Sequence, residues 1–323
     1  MDKTTSKRSV EIDFTKGILI ILMVIFHLGH FHTQYPKLTE IVYSFHMPAF
    51  LFLSGYLFSP KKDFTWLTGK LRGILLPYFV FEILYILCIG FLGTKIGASN
   101  FVDLSIATLL HKLFLHPIGT YWYLHTLTIC IIICYLISKF IDNQLNYIIL
   151  SGIVLFILSL YIEGLKWNNI VYFLIGIIIK SYMKYIPINK TLLVQIIAFI
   201  LISYISDNLQ RSSTASITLT LLFLCISYSV TTSLPLKSID RVSYLGRNSL
   251  AIVLISPIIT PITKIYWNVF AFDSTAILWM LISTSLVCGM SLLGVKIMDK
   301  IKISTTLFGK NLYVPYNMVN RGN

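Results

Sequence analysis

Apolar residues run along this chain in long, nearly unbroken windows instead of alternating or recurring every third and fourth position. A window of about 17 to 25 apolar residues is long enough to cross a bilayer as a helix. Ten such windows are readable, over 14–34, 38–58, 73–94, 121–139, 146–162, 169–184, 191–207, 215–234, 247–270 and 274–298, the sixth being short. Turn-forming residues punctuate the gaps, as at Ser59-Pro60, Asp142-Asn143 and Ser233-Leu234-Pro235. The pattern predicts an all-α, polytopic transmembrane bundle of about ten spans. Residues 1–323 are expected to form a single membrane domain with no fused soluble domain. No small-residue cleavage site follows the apolar stretch 17–31, so the first window is expected to remain as a helix. Neither an internal repeat nor the paired broken helices of an inverted-repeat transporter is visible.

Composition agrees with the pattern. Hydrophobic residues make up 56% of the 323 and charged residues 12%, about half the charged fraction of a soluble domain; mean hydropathy is +0.79. The five cysteines all fall inside apolar windows, where they act as small hydrophobes, and neither a disulfide framework nor a metal-ligand spacing is present. The net charge of +13 changes the picture through its distribution. With the N-terminus in the cytoplasm, the cytoplasmic ends and loops hold 20 basic residues, and the outer side holds 6: Lys37, Lys95, Lys112, Lys166, Arg211 and Lys264. That asymmetry follows the positive-inside rule and predicts both termini in the cytoplasm, in a multi-pass protein of the cytoplasmic (inner) membrane. The basic excess is then a collar facing anionic lipid, not a nucleic-acid surface.

Ionisable groups inside membrane helices are expensive and mark functional sites. In the first window Lys16 and His27 are eleven residues apart, three helical turns plus about 20°, so they share a face at roughly 16 Å along the axis. Asp13 and His30 lie near the same stripe, and Asp13 sits one turn from Lys16, placed to hold it. A polar seam is thus expected from the inner mouth to the outer half of the bundle. The competing reading of each histidine is structural, a buried ring satisfied by a backbone carbonyl. In the second window His46 precedes Pro48, which removes a helical donor and frees a carbonyl, while Ser54 and Gly55 permit close helix approach. Glu82 inside the third window needs a partner or a proton, and His46 is one candidate for that partner. His125 follows in the fourth window; His111 and His116 read as exposed loop residues, and Trp122, Trp167 and Trp267 as interface anchors.

These residues, in this order, resemble acyltransferase family 3, the membrane-bound acyltransferases that include sugar O-acetylases similar to fucose 4-O-acetylase. The resemblance is carried by Asp13-Phe14-Thr15-Lys16-Gly17 with His27 after ten intervening residues, and by Phe45-His46-Met47-Pro48 through Phe52-Leu53-Ser54-Gly55-Tyr56. It continues through Lys70-Leu71-Arg72 with Leu76-Pro77-Tyr78, Trp122-Tyr123-Leu124, and Leu245-Gly246-Arg247-Asn248-Ser249-Leu250. The chain departs from the family pattern in three places. Lysine replaces the usual arginine at position 16, keeping the charge but not the forked geometry. Gly69 stands where an arginine is often found, and Ser256-Pro257 where many members have a histidine.

The resemblance implies acetyl-CoA as cytoplasmic donor, no permanently bound cofactor, and as acceptor a sugar hydroxyl of a cell-envelope glycan (O-antigen, capsule or exopolysaccharide). It implies catalytic roles for His27, Lys16, Asp13 and His46, with Trp122, Asn248 and Ser249, and Glu82 outside the motifs, as further candidates. The donor's phosphates need cations, which Lys70 and Arg72 offer, helped by Lys61, Lys62 or Lys16; ordinary positive-inside bias accounts for Lys61 and Lys62 equally well. His27 is either a general base for the sugar hydroxyl or a covalent acyl carrier. Transfer is expected within the membrane domain or through a separate periplasmic or glycan-assembly partner. The rival class is an exporter or flippase for a glycan or lipid-linked intermediate, which needs no basic donor site.

Overall fold

The computed structural model describes residues 9–60, 63–92, 105–182 and 192–316; Lys61 and Lys62, and parts of the charge distribution such as Lys95, Lys184 and Lys190, lie outside them. Among the described residues every regular element is helical. Helix α1 (Val10–His27) begins at Ser9, whose Oγ accepts from the Ile12 N–H at 3.4 Å, and stops where Leu28 turns extended. A six-residue helix, α2 (Gly29–Gln34), follows, so the first expected span breaks immediately after His27. Helix α3 (Pro36–Tyr56) starts on a proline, whose missing N–H is no loss at that position. Then come α4 (Phe64–Arg72), α5 (Leu75–Leu92), α6 (Ile106–Phe114), a 3₁₀ turn at Gly119–Tyr121, and α7 (Trp122–Ile137). Helix α8 (Gln144–Tyr161) is capped by Asn143, whose Oδ1 accepts from the Leu145 and Asn146 N–H groups. Helices α9 (Trp167–Tyr182), α10 (Leu192–Ile205), α11 (Thr214–Ser233), α12 (Leu236–Arg247) and α13 (Ser249–Ile259) lead into a 3₁₀ stretch, Thr260–Phe270. Helices α14 (Ile277–Lys300) and α15 (Ile303–Phe308) complete the order.

Among the described residues six stretches are long and apolar enough to cross a membrane: Phe64–Gly90, Gly119–Ile137, Gln144–Tyr161, Thr214–Ser233, Ser249–Phe270 and Ile277–Lys300. All ten expected windows contain helix, but the first, second, sixth and seventh fall outside these six. The reasons are physical. Helix α1 carries Glu11, Asp13 and Lys16, α3 carries Ser44, His46, Pro48 and Ser54, and α9 and α10 have 16 and 14 residues.

The two polar helices occupy the interior. Helix α1 packs on α3, α11 and α12, and α3 packs on α9 and α11. Along α3 the residues from Ser44 to Leu53 are all buried. Two crossings are tight enough to require glycine. A Cβ on Gly246 would stand 1.7 Å from the Asp13 carbonyl oxygen, and one on Gly55 would stand 2.0 Å from that of Phe173. Helices α8, α10 and α14 instead turn large apolar side chains outward, among them Leu160, Leu193, Val194, Leu281 and Leu293. Apolar surface so extensive belongs in an apolar solvent.

Candidate active site

His27 occupies the last turn of α1, and its Nδ1 lies 2.6 Å from the Met23 carbonyl oxygen one turn back. A carbonyl only accepts, so Nδ1 carries the proton and Nε2 keeps its lone pair. His46 repeats this arrangement on α3, with Nδ1 2.7 Å from the Val42 carbonyl and a buried Nε2 that makes no hydrogen bond. The two rings meet edge to face with centroids 6.5 Å apart. Tyr43 lies beside both, at 5.8 Å from His27 and 5.4 Å from His46, and its hydroxyl donates to the Phe26 carbonyl at 2.8 Å, tying α3 to the end of α1.

Two cavities meet at His27. The larger, about 170 Å³, is bounded by Met23, Tyr85, Thr120, Ser256 and Lys264 as well as His27. The smaller, about 110 Å³, is bounded by His27, Tyr43, His46, Met47, Trp122 and Arg211, with Thr120 again on its wall. Thr120 Oγ1 and Ser256 Oγ are buried without hydrogen-bond partners.

His27 and His46 come together. Asp13 and Lys16 stay on the same unbroken helix as His27, at its far end, with Asp13 buried and each engaged in an interaction. His30 leaves the stripe because α1 ends at Leu28; its ring stacks on Trp267 at 4.3 Å. Trp122, expected as an interface anchor or site candidate, walls the smaller cavity. Glu82 is not paired with His46. It accepts from the Ile118 N–H at 2.6 Å and, with Tyr78 donating to the Leu113 carbonyl and His125 Nε2 to that of Phe114, fastens the segment leading to Thr120 and Trp122. Asn248 is a clamp for the C-terminal segment: its amide donates to the Tyr244 and Val314 carbonyls and its Oδ1 accepts from the Val314 N–H. Ser249 opens α13, half-buried. Arg247, counted with the cytoplasmic collar, is buried 3.6 Å from Asp240.

Lys70 and Arg72 sit elsewhere, at the end of α4. The Arg72 guanidinium donates to the Thr306 carbonyl at 3.4 Å and lies against Gly309, which adopts φ +71°. That turn carries Lys310 over Gly73 and within electrostatic range of Lys70, and burial pushes the Lys310 ammonium down from its usual value. As site residues, Lys310, Tyr43, Thr120, Lys264 and Arg211 were not expected from the sequence, where Lys310 counts only toward the cytoplasmic collar. Among the described residues no carboxylate forms an ion pair with Lys70, Arg72 or Lys310. Three cations gathered without an acid offer the kind of charge that a polyanion favours.

A family model described as an acyltransferase domain matches residues 9–295. The nodulation protein NolL of Mesorhizobium japonicum is 32% identical over 159 residues, covering 46% of this chain and 40% of that protein's length. No solved structure matches the chain.

Proposed function

Because the chain belongs to acyltransferase family 3, we propose that it is an O-acetyltransferase of the inner membrane, moving acetyl from cytoplasmic acetyl-CoA to a sugar hydroxyl of a surface polysaccharide. In this reading the chain crosses the membrane about ten times, with both termini in the cytoplasm and the shorter or more polar helices α1, α3, α9 and α10 completing the count. The observation that carries the reading is His27, whose Nδ1 is committed to the Met23 carbonyl and whose ring borders both cavities.

The sizes of the cavities suggest how two substrates meet there. An apolar cavity of about 150 Å³ takes a six-membered carbon ring. The larger cavity, about 170 Å³, therefore suits a pyranose, and its unpaired Thr120 and Ser256 hydroxyls suit the sugar's own hydroxyls. The smaller cavity, about 110 Å³, suits a two-carbon acyl group better than a ring. His27 Nε2 takes the proton of the sugar hydroxyl as its oxygen adds to the thioester carbonyl, and returns that proton to the departing thiolate. Met23 and Val42 fix the tautomers of His27 and His46. Asp13 and Lys16 hold the entry end of α1, and Lys70, Arg72 and Lys310 receive the phosphates of the donor.

The test is in membranes from cells expressing each variant, supplied with radiolabelled acetyl-CoA and the same cells' de-O-acetylated envelope glycan. His27→Ala and His27→Gln are expected to reach the membrane in normal amount and to transfer less than about a hundredth of the wild-type label, a base being worth about 10²–10⁴-fold. Normal transfer by either variant rejects the mechanism. Loss of the whole surface glycan in a deletion strain, instead of loss of its acetyl groups alone, rejects the enzyme assignment in favour of export.

A further inference from the structure

Arg211 enters the smaller cavity from the turn between α10 and α11, far in sequence from every motif described above. Its setting is unusual for a loop arginine. Nε donates to the Tyr43 carbonyl at 3.4 Å, Nη1 donates to Asn169 Oδ1 at 3.1 Å, and the guanidinium carbon lies 4.8 Å from the centre of the Trp122 ring. The turn itself is held by Ser212, a non-glycine residue at φ +68°, whose N–H donates to the Tyr172 hydroxyl at 3.0 Å. A backbone held in that region is sustained only when its surroundings enforce it. Among the described residues no carboxylate pairs with Arg211, and its Nη2 makes no hydrogen bond.

A rigid, unpaired guanidinium on the wall of a small cavity shared with the His27 ring is a device for negative charge that appears there during reaction. We infer that Arg211 stabilises the oxyanion of the tetrahedral intermediate, the acetyl group lying in the smaller cavity between Arg211 and His27. The inference rests on the acetyl-transfer reading above. The sugar oxygen bonds to the thioester carbon as its proton passes to His27 Nε2, and the carbonyl π pair moves onto oxygen beside Arg211 Nη2. Collapse restores the carbonyl, breaks the carbon–sulfur bond and releases CoA thiolate, which takes the proton back from His27. Arg211 is already fixed by Tyr43, Asn169 and Trp122 before charge develops, so little reorganisation accompanies the step.

The assay is the membrane reaction with radiolabelled acetyl-CoA and de-O-acetylated envelope glycan, with kcat and KM measured separately for each substrate. Arg211→Gln is expected to lower kcat about 10²- to 10³-fold with both KM values within about threefold of wild type, the pattern of an interaction made only in the transition state. Arg211→Lys, which keeps the charge but not the fork, is expected to recover at least about tenfold of that loss. A thermal unfolding midpoint in detergent close to wild type separates this role from a structural one. Near-normal kcat in Arg211→Gln, or a loss confined to either KM, overturns the inference while leaving acetyl transfer by His27 intact. A wild-type protein that transfers no acetyl overturns both.

Discussion

Pro48 has no N–H to offer the Ser44 carbonyl one turn back, and the molecule answers with a side chain from another helix. Ser216 Oγ on α11 donates to the Ser44 carbonyl at 2.5 Å. Because that hydrogen is used, the Tyr172 hydroxyl is the donor in its 2.6 Å contact with Ser216 Oγ, and it accepts in turn from the Ser212 N–H. A single chain of donors therefore runs from the turn beside Arg211 to the helix that carries Tyr43 and His46. Removing its third link tests it. Ser216→Ala strips a partner from a buried carbonyl and is expected to destabilise the protein by about 1–3 kcal/mol in detergent unfolding. In a Pro48→Ala background the residue-48 N–H is restored to the Ser44 carbonyl, so the same substitution is expected to be at least about 1 kcal/mol milder. Equal penalties in the two backgrounds would disconnect Ser216 from the proline.

At the scale of elements, every apolar window contains helix, but the windows showed neither where helices break nor the helices α4, α6 and α15 that lie between or beyond them. Leu28 breaks the window 14–34, and Asn248 breaks the helix at the very start of the window 247–270, because both interruptions answer to contacts remote in sequence. Asn248 is turned toward Val314, and the end of α1 is met by Tyr43. The α1/α12 crossing is of the same kind: Gly17 and Gly246 look like ordinary small residues until their partners are known. A Cβ on Gly246 would strike the Asp13 carbonyl at 1.7 Å, and one on Gly17 would strike that of Val242 at 2.0 Å, both of them backbone atoms of rigid helices. Gly246→Ala is accordingly expected to cost at or above the upper end of about 1–3 kcal/mol and to depress the proposed acetyl transfer by displacing α1. Gly69→Ala in α4 meets nothing within 4 Å and is expected to stabilise by about 0.5–1 kcal/mol. Unfolding midpoints of the two variants moving in the same direction would contradict the packing.

Over the whole molecule, the legible part of the candidate site is the part that local pattern within α1 and within α3 supplies. Lys16 and His27 share a face by spacing alone, and His46 stood out as an ionisable group beside a proline. Arg211 was unreadable because its partner Tyr43 lies 168 residues away, and Lys310 because it reaches Lys70 only through the fold of the C-terminal segment. Charge distribution gave the expected orientation, and that expectation is open to a direct test at α14. With 24 residues this helix is about 36 Å long, more than the roughly 30 Å hydrocarbon core, so its two ends must emerge on opposite sides if it crosses. Ser274 before it and Thr305 after it are both exposed. In a background with the five native cysteines replaced by serine or alanine, a membrane-impermeant maleimide added to intact spheroplasts is expected to label Ser274→Cys and not Thr305→Cys. Inside-out vesicles are expected to reverse the pattern. Labelling of Thr305→Cys from outside would place the Lys70–Arg72–Lys310 cluster, tied to α15 through the Thr306 carbonyl, away from the cytoplasmic acetyl-CoA that it is proposed to receive.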